Sequence, residues 1–371
     1  MRALLLPFLR DRFLHLLVVV GIILALFSPF NWRSLPAAVD WQTIMTLAGL
    51  LMLTKGIEAS GYFDWLGRRL IHRFTHERTL ALFLVSASAL LSTFLTNDVA
   101  LFITVPLTLS LRKYSTLPLS RLIIFEALAV NAGSLLTPIG NPQNILLWQH
   151  GEASFVGFIA QMLPLGAWLL ASLLVLTAIC FRGREIQRHT VTAESGWQRP
   201  LLYVSALLYG IFILLLEQGF ALWGVALVFI TLCLMARRML LTLDWSLLFV
   251  FVMMFIDVWL LLKLPLLQHA LPLTQQLGQG ETYLLAAGLS QVISNVPATI
   301  LLLNMLPATP LLAWAVNIGG FGLLPGSLAN LIALRMAKER AIWWHFHLYS
   351  IPLFLWALLS GWSLWLLLYG R

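Results

Sequence analysis

The chain has 371 residues, of which 60% are apolar and only 10% charged, whereas soluble globular domains carry about 25% charged residues. That balance excludes a soluble domain and points to a multispanning membrane protein. The formal net charge of +8 does not call for a nucleic-acid partner, because the basic residues stand in short blocks between apolar runs, and membrane topology accounts for them.

The chain opens with a basic N-terminus and an apolar run to Phe30. It has the outline of a signal peptide but lacks a small-residue cleavage site, so it reads as a retained first span. Runs long enough to cross roughly 30 Å of hydrocarbon, about 20 residues each, lie at 13–30, 41–58, 122–148, 155–181, 200–216, 219–236, 244–262, 310–334 and 346–369. Between the second and third, segment 61–75 alternates Trp65, Leu66, Leu70, Ile71 and Phe74 with Arg68, Arg69, His72 and Arg73, the pattern of a helix lying along the cytoplasmic surface. Lys55 and Glu58 stand three apart on one helix face and are expected to form a structural ion pair. Glu126 is expected near a membrane face in contact with solvent, and Asp257 lies inside a span with no assigned role. Cys180 and Cys233 both sit in apolar segments, so neither a disulfide framework nor a zinc site is indicated. The hydrophilic loop 182–199 holds no recognisable motif.

Two further apolar stretches, 79–111 and 282–309, behave differently. Basic residues flank the first on both sides, Arg68, Arg69, Arg73 and Arg78 before it and Arg112, Lys113 and Arg121 after it. Positive charge marks the cytoplasm, so the chain must enter and leave on one face. Each stretch is therefore predicted to be a re-entrant hairpin of two arms of about 15 residues, reaching roughly 22 Å and so to mid-membrane. Their tips fall at Thr96–Asp98 and Ser294–Pro297, the latter supported by a proline that cannot donate a helical hydrogen bond. This layout places 19 of the 23 basic residues on the cytoplasmic side, with a cytoplasmic N-terminus and a periplasmic C-terminus.

The two tips belong to a longer echo. Ser92, Thr96, Asn97 and Ala100 align with Ser290, Ser294, Asn295 and Ala298, 198 residues on. Asn131, Gly133, Gly140 and Asn144 align with Asn317, Gly319, Gly326 and Asn330, 186 residues on. Asp40–Trp41 recurs as Asp244–Trp245, 204 residues on. Three matches in one order indicate a duplicated unit. The first repeat covers 1–199, including the loop 182–199. A connecting span at 200–216 follows, and the second repeat, 217–371, is inserted upside down. The predicted fold class is thus an all-α polytopic membrane protein of two inverted-topology repeats, with nine spans, two re-entrant hairpins and discontinuous helices at mid-membrane.

Gly133, Pro138, Gly140 and Pro142 interrupt one span, and Gly319, Gly320, Gly322, Pro325 and Gly326 its counterpart. Such breaks are tolerated only where protein or a water-filled cavity surrounds them. A hairpin tip facing an unwound span brings amide and hydroxyl oxygens, bare carbonyls and half-helix ends into one small volume. One cation or proton site is therefore expected among Ser92, Thr96, Asn97, Gly133 and Asn141. A symmetric one is expected among Ser290, Ser294, Asn295, Gly319 and Gly320, with substrate between the tips and Asn144 and Asn330 nearby. The alternative is that these side chains only cap the broken helices. Asp98 has Val296 as its counterpart, and would carry the coupling proton, pair with a bound cation, or simply hydrogen-bond at a helix start.

The LTNDVAL tip and the TPIGNPQN run resemble the ion transporter superfamily, most closely its citrate-transporter-like branch, which includes arsenical pump membrane proteins. The resemblance covers essentially the whole chain. It implies a homodimer with an outer scaffold and a mobile domain that crosses by an elevator movement. In the dicarboxylate members both tips read Ser-Asn-Thr and contact sodium and substrate carboxylates. Here they read Thr96-Asn97-Asp98 and Ser294-Asn295-Val296, so the asparagines carry over and the final threonine does not. Asp98 matches the arsenical-pump pattern, which implies protons more than sodium. The expected function is a secondary transporter for a small anion or oxyanion in a bacterial inner membrane. It would use Na+ or H+ as coupling ion and no other cofactor or metal. A cation/proton antiporter and an arsenite-type efflux permease are the alternatives. A membrane-embedded enzyme is distant from these, since the chain holds no H-E-x-x-H or comparable spacing.

Overall fold

The computed structural model describes residues 8–9, 11–189, 197–265, 268, 277–339 and 341–370. Part of the 182–199 loop, and Arg2, Arg10, Arg340 and Arg371 of the charge pattern, lie outside the described residues. The chain is helical over 81% of its length. In chain order the helices are α1 (Arg12–Phe27), α2 (Trp41–Ala59), α3 (Tyr62–Arg73), α4 (Glu77–Phe94), α5 (Asn97–Ser110), α6 (Leu119–Ser134), α7 (Pro142–His150) and α8 (Phe155–Cys180). They continue as α9 (Arg199–Glu217), α10 (Ala221–Leu240), α11 (Trp245–Leu262), α12 (Gln279–Ile293), α13 (Asn295–Leu303), α14 (Pro310–Ile318), α15 (Leu328–Ala337) and α16 (Ile342–Tyr369). Among the described residues six helices are long and apolar enough to cross a bilayer, and the bent pair Trp32–Ala38 and Trp41–Ala59 makes a seventh. Leu26, Leu234, Trp344 and Leu367 are each more than 70% exposed, and a surface this apolar requires lipid around it.

The chain divides into two compact units, one of Met1–Leu66 with Ala193–Pro272 and one of Gly67–Thr192 with Leu273–Arg371. Each unit therefore draws on both halves of the sequence. Inside the first unit, α1 packs on α11 and α2 on α10. The repeated Asp-Trp pair explains how α2 and α11 begin. Asp40 and Asp244 occupy the N-cap positions of these two helices. Each following tryptophan donates its indole N–H to the carbonyl five residues back, Trp41 to Pro36 at 2.8 Å and Trp245 to Leu240 at 3.0 Å. Small residues admit the neighbours, with the Phe212 ring seated where side chains on Gly49 and Gly224 would stand. Lys55 and Glu58 form the expected pair at 2.8 Å.

The second unit is built around α6, which is buried along nearly all of Leu122–Ser134. Its hairpins and broken helices pair reciprocally: α4 packs on α6 as α12 does on α14, α5 on α15 as α13 on α7, and α8 on α14 as α16 on α6. Both hairpins break at the predicted tips, at Leu95–Thr96 and at Ser294, but their arms are unequal, with 18 and 14 residues in the first and 15 and 9 in the second. The break in the second lies at Ser294, whose φ of 72° is left-handed. Pro297 occupies the third position of α13, in the first turn, where proline is tolerated. Segment 184–189 ties the two ends of the first hairpin together: its backbone bonds to Thr75 and Glu77 before α4 and to Tyr114 and Ser115–Thr116 after α5. One expectation fails outright. Glu126 is completely buried on α6 and touches no solvent, because the helix that carries it lies at the centre of the unit instead of at its edge.

Gly133 sits so close to α4 that a Cβ would fall 1.9 Å from the Ala89 carbonyl oxygen, whereas nothing lies within 4 Å of one built on Gly210. Gly133→Ala is expected to lower stability by about 1–3 kcal/mol, and Gly210→Ala to leave it unchanged or raise it. Thermal unfolding of the detergent-solubilised chain measures both.

Candidate functional site

Two helices are interrupted in the middle of the second unit, α6–α7 by residues 135–141 and α14–α15 by residues 319–327. Most residues of both breaks are buried, and the carbonyls freed there need donors. Asparagines supply them. Asn144 Nδ2 donates to the carbonyls of Ser134, Leu135 and Thr137 at 3.0–3.2 Å. Asn330 Nδ2 and Asn131 Nδ2 both donate to the Gly320 carbonyl, at 2.9 and 3.2 Å.

The same amides cross between the two breaks. Asn317 Nδ2 donates to Asn144 Oδ1 at 2.7 Å, and Asn131 Nδ2 to Asn330 Oδ1 at 2.9 Å, the same bond made twice by residues in register 186 apart. Asn141 Nδ2 and Gln143 Nε2 donate to Asn317 Oδ1 at 3.1 and 3.4 Å, and Ser327 Oγ to Asn131 Oδ1 at 2.9 Å. Asn141 and Asn144 are fully buried, as is Asn330. Their side chains are occupied in holding the breaks open and in register.

The hairpins attach to this lattice at their inner ends. Gly133 and Gly319 each pack against a serine of the facing arm, Ser92 and Ser290, whose hydroxyls bond back to Ala89 and Ala286. One residue further on, Thr93 Oγ1 donates to the Gly133 carbonyl at 3.1 Å and Gln291 Nε2 to the Gly319 carbonyl at 2.6 Å. Gln291 Oε1 also accepts the Leu323 N–H. These braces, together with Gln143, Ser134, Thr137 and Ser327, were missed from sequence. Thr93 and Gln291 occupy equivalent positions 198 apart, but their different side chains hide the match.

The tips themselves differ. In the first, every N–H of the opening turn of α5 is taken. Asn97 N–H donates to the Gly140 carbonyl at 2.9 Å, Asp98 N–H to Asn97 Oδ1 at 2.9 Å and Val99 N–H to Thr96 Oγ1 at 3.4 Å. Asp98 projects from this turn with Oδ1 buried and without a hydrogen-bond partner among the described residues. In the second tip, α13 has no side-chain cap. Pro297, in its first turn, has no N–H to offer. Asn295, 2% exposed, accepts a long 3.4 Å contact from Ser294 Oγ on its Oδ1, while its Nδ2 lies beside Gly320. The second tip thus presents the uncapped positive end of a helix beside the Asn295 amide, and the first presents an acid.

A lattice of buried amides clamped between two hairpin tips and two broken helices, inside an apolar helical body, defines a multi-pass membrane transporter. The citrate transporter family CitMHS matches residues 8–309, and the chain belongs to that family. It is 59% identical over 367 residues to the inner membrane protein YbiR of Escherichia coli, covering 98% of this chain and 99% of that one. It is 30% identical over 332 residues to an uncharacterized transporter of Methanocaldococcus jannaschii, covering 88% and 90%. A shorter match, 24% over 141 residues, covers 38% of this chain and 25% of the putative transporter arsB of Dictyostelium discoideum.

Asn317→Ala removes the donor to Asn144 Oδ1 and the acceptor shared by Asn141 and Gln143, leaving several buried groups unsatisfied at about 1–3 kcal/mol for each group orphaned. Asn97→Ala removes one bond and should cost about 1 kcal/mol or less. Thermal unfolding of the two variants should separate them clearly, and equal losses would show that the amides share one role.

Proposed function

We propose that the chain is a secondary active transporter that moves a small anion or oxyanion across the bacterial inner membrane by elevator-type alternating access, coupled to protons or sodium. The observation that carries this reading is the division between the tips. The uncapped N-terminus of α13 and the Asn295 amide suit an anionic oxygen, while the buried, unpartnered Oδ1 of Asp98 suits a proton or a cation. Ser92, Ser290, Asn141, Asn144 and Asn330 then shape the site as its frame, and Thr96, Asn97, Asp98, Ser294 and Asn295 face the cargo.

Reciprocal packing of the helices supports two inverted repeats; the topology proposed with them has nine spans and two re-entrant hairpins, an N-terminus in the cytoplasm and a C-terminus in the periplasm. The second unit, which contains both tips, is the moving body, and the first is the scaffold through which two copies pair. Asp98 also favours a second reading, cation/proton exchange with no anion, and the match to the putative transporter arsB supports an arsenite-type efflux variant of the first.

In proteoliposomes carrying a proton or sodium gradient, Asn295→Ala and Asn97→Ala should each abolish uptake of the transported solute while the protein stays folded. Thermal-shift screening against citrate, other carboxylates, oxyanions, arsenite and sodium at several pH values finds that solute, since a ligand bound only by the folded chain raises its melting temperature. Asp98→Asn should uncouple anion movement from the proton gradient. Complete loss of cation exchange in that variant, with no anion ever raising the melting temperature, would favour the antiporter.

A further inference from the structure

We propose that Glu126 and Thr108 form a proton-binding site in the second unit, separate from the hairpin tips. Glu126 lies two helical turns before Gly133 on α6 and is completely buried. Thr108 Oγ1, from the last turns of α5, donates to Glu126 Oε1 at 2.5 Å, while Oε2 has no hydrogen-bond partner among the described residues. One turn earlier on the same face of α5, the buried hydroxyl of Thr104 is also without a partner. Among the described residues no cationic nitrogen forms an ion pair with Glu126.

The charged and titratable groups on the helices around α6 are engaged elsewhere or stand apart from it. On α6 itself Arg121 donates to the Cys180 carbonyl, and on α4 Arg78 donates to the Phe181 carbonyl. Glu77 opens α4 at the hairpin mouth, and Asp98 lies at the opposite end of α5. Cys180 ends α8. Arg335 and Lys338 lie at the end of α15. On α16, His347 bonds to the Trp343 carbonyl and the Leu324 N–H, Tyr349 stacks edge-on against Phe125, and His345 lies in the first turn. A carboxylate anion in that position would be an uncompensated buried charge. A proton on Oε2 removes the charge, leaving Oε1 to accept from Thr108.

The fold does not require an acid here. At the equivalent position 186 residues on, Leu312 is equally buried, and Leu306 stands 198 residues on from Thr108. Leu306 lies past the end of α13, so the acid and its hydroxyl partner are present together in one half and have no such pair opposite them in the other. Such a paired difference points to a function carried by the pair, the reversible holding of a proton drawn from the aqueous phase. Its part in coupling rests on the transporter reading; its occupancy by a proton does not.

Infrared difference spectra of the purified full chain between neutral and alkaline pH read the proton directly. The wild type should show the C=O stretch of a protonated carboxyl that disappears on alkalinisation. The band should be lost in Glu126→Gln, kept in Asp98→Asn and shifted to higher frequency in Thr108→Val, where the hydrogen bond to Oε1 is gone. A wild type without the band, or an identical band in Glu126→Gln, overturns the proposal. Should Glu126→Gln fail to fold, an unshifted band in Thr108→Val overturns it equally. The readout needs no solute, so a chain that transports nothing would defeat the transporter reading and leave this site standing.

Discussion

Breaking a helix where water cannot follow frees backbone carbonyls that must be satisfied by protein, and the second unit depends on how that is done. Asn144 alone caps three of them, and Gly320 receives two amide donors. Because the same side chains also bond across from one break to the other, neither unwound segment can close without the other being left unsatisfied. The amide lattice is therefore a structural frame.

Close approach makes the frame possible. Lipid offers little hydrophobic drive for helix association, so contact has to come from shape and from small residues. Gly133 against Ala89 and Ser92, and Gly319 against Ser290, bring the hairpin arms near enough for Thr93 and Gln291 to reach the broken strands of backbone. In the first unit Gly49, Gly56 and Gly21 do the same for Phe212, Ser205 and Asp257.

The two halves use one plan for different chemistry. The first hairpin is pinned at its tip by the Gly140 carbonyl and at its mouth by segment 184–189, and its half of the second unit carries Asp98, with a buried Oδ1, and the fully buried Glu126. The second hairpin is shorter, holds Ser294 at a positive φ at a cost of about 1–3 kcal/mol, and begins α13 without a side-chain cap. Aligned positions of the two halves thus differ in chemistry, with Val296 opposite Asp98 and Leu312 opposite Glu126.

Much of this was written in the chain. Apolar run lengths located the helices, glycine and proline located both breaks, and the echo of Asn97 in Asn295 located both tips, because helix formation, helix interruption and internal duplication are local properties of sequence. What sequence could not supply was the partner of each polar group. Asn144 and Asn330 look like ligand residues until their amides are seen to be occupied. Gln291 matches Thr93 only in position, and Glu126 looks like a surface acid until α6 is seen to be surrounded. Hydrogen bonds between residues 170 to 200 apart and the burial of one helix by five others arise only when the chain folds back on itself, so which asparagines build the frame was decided by the tertiary structure alone.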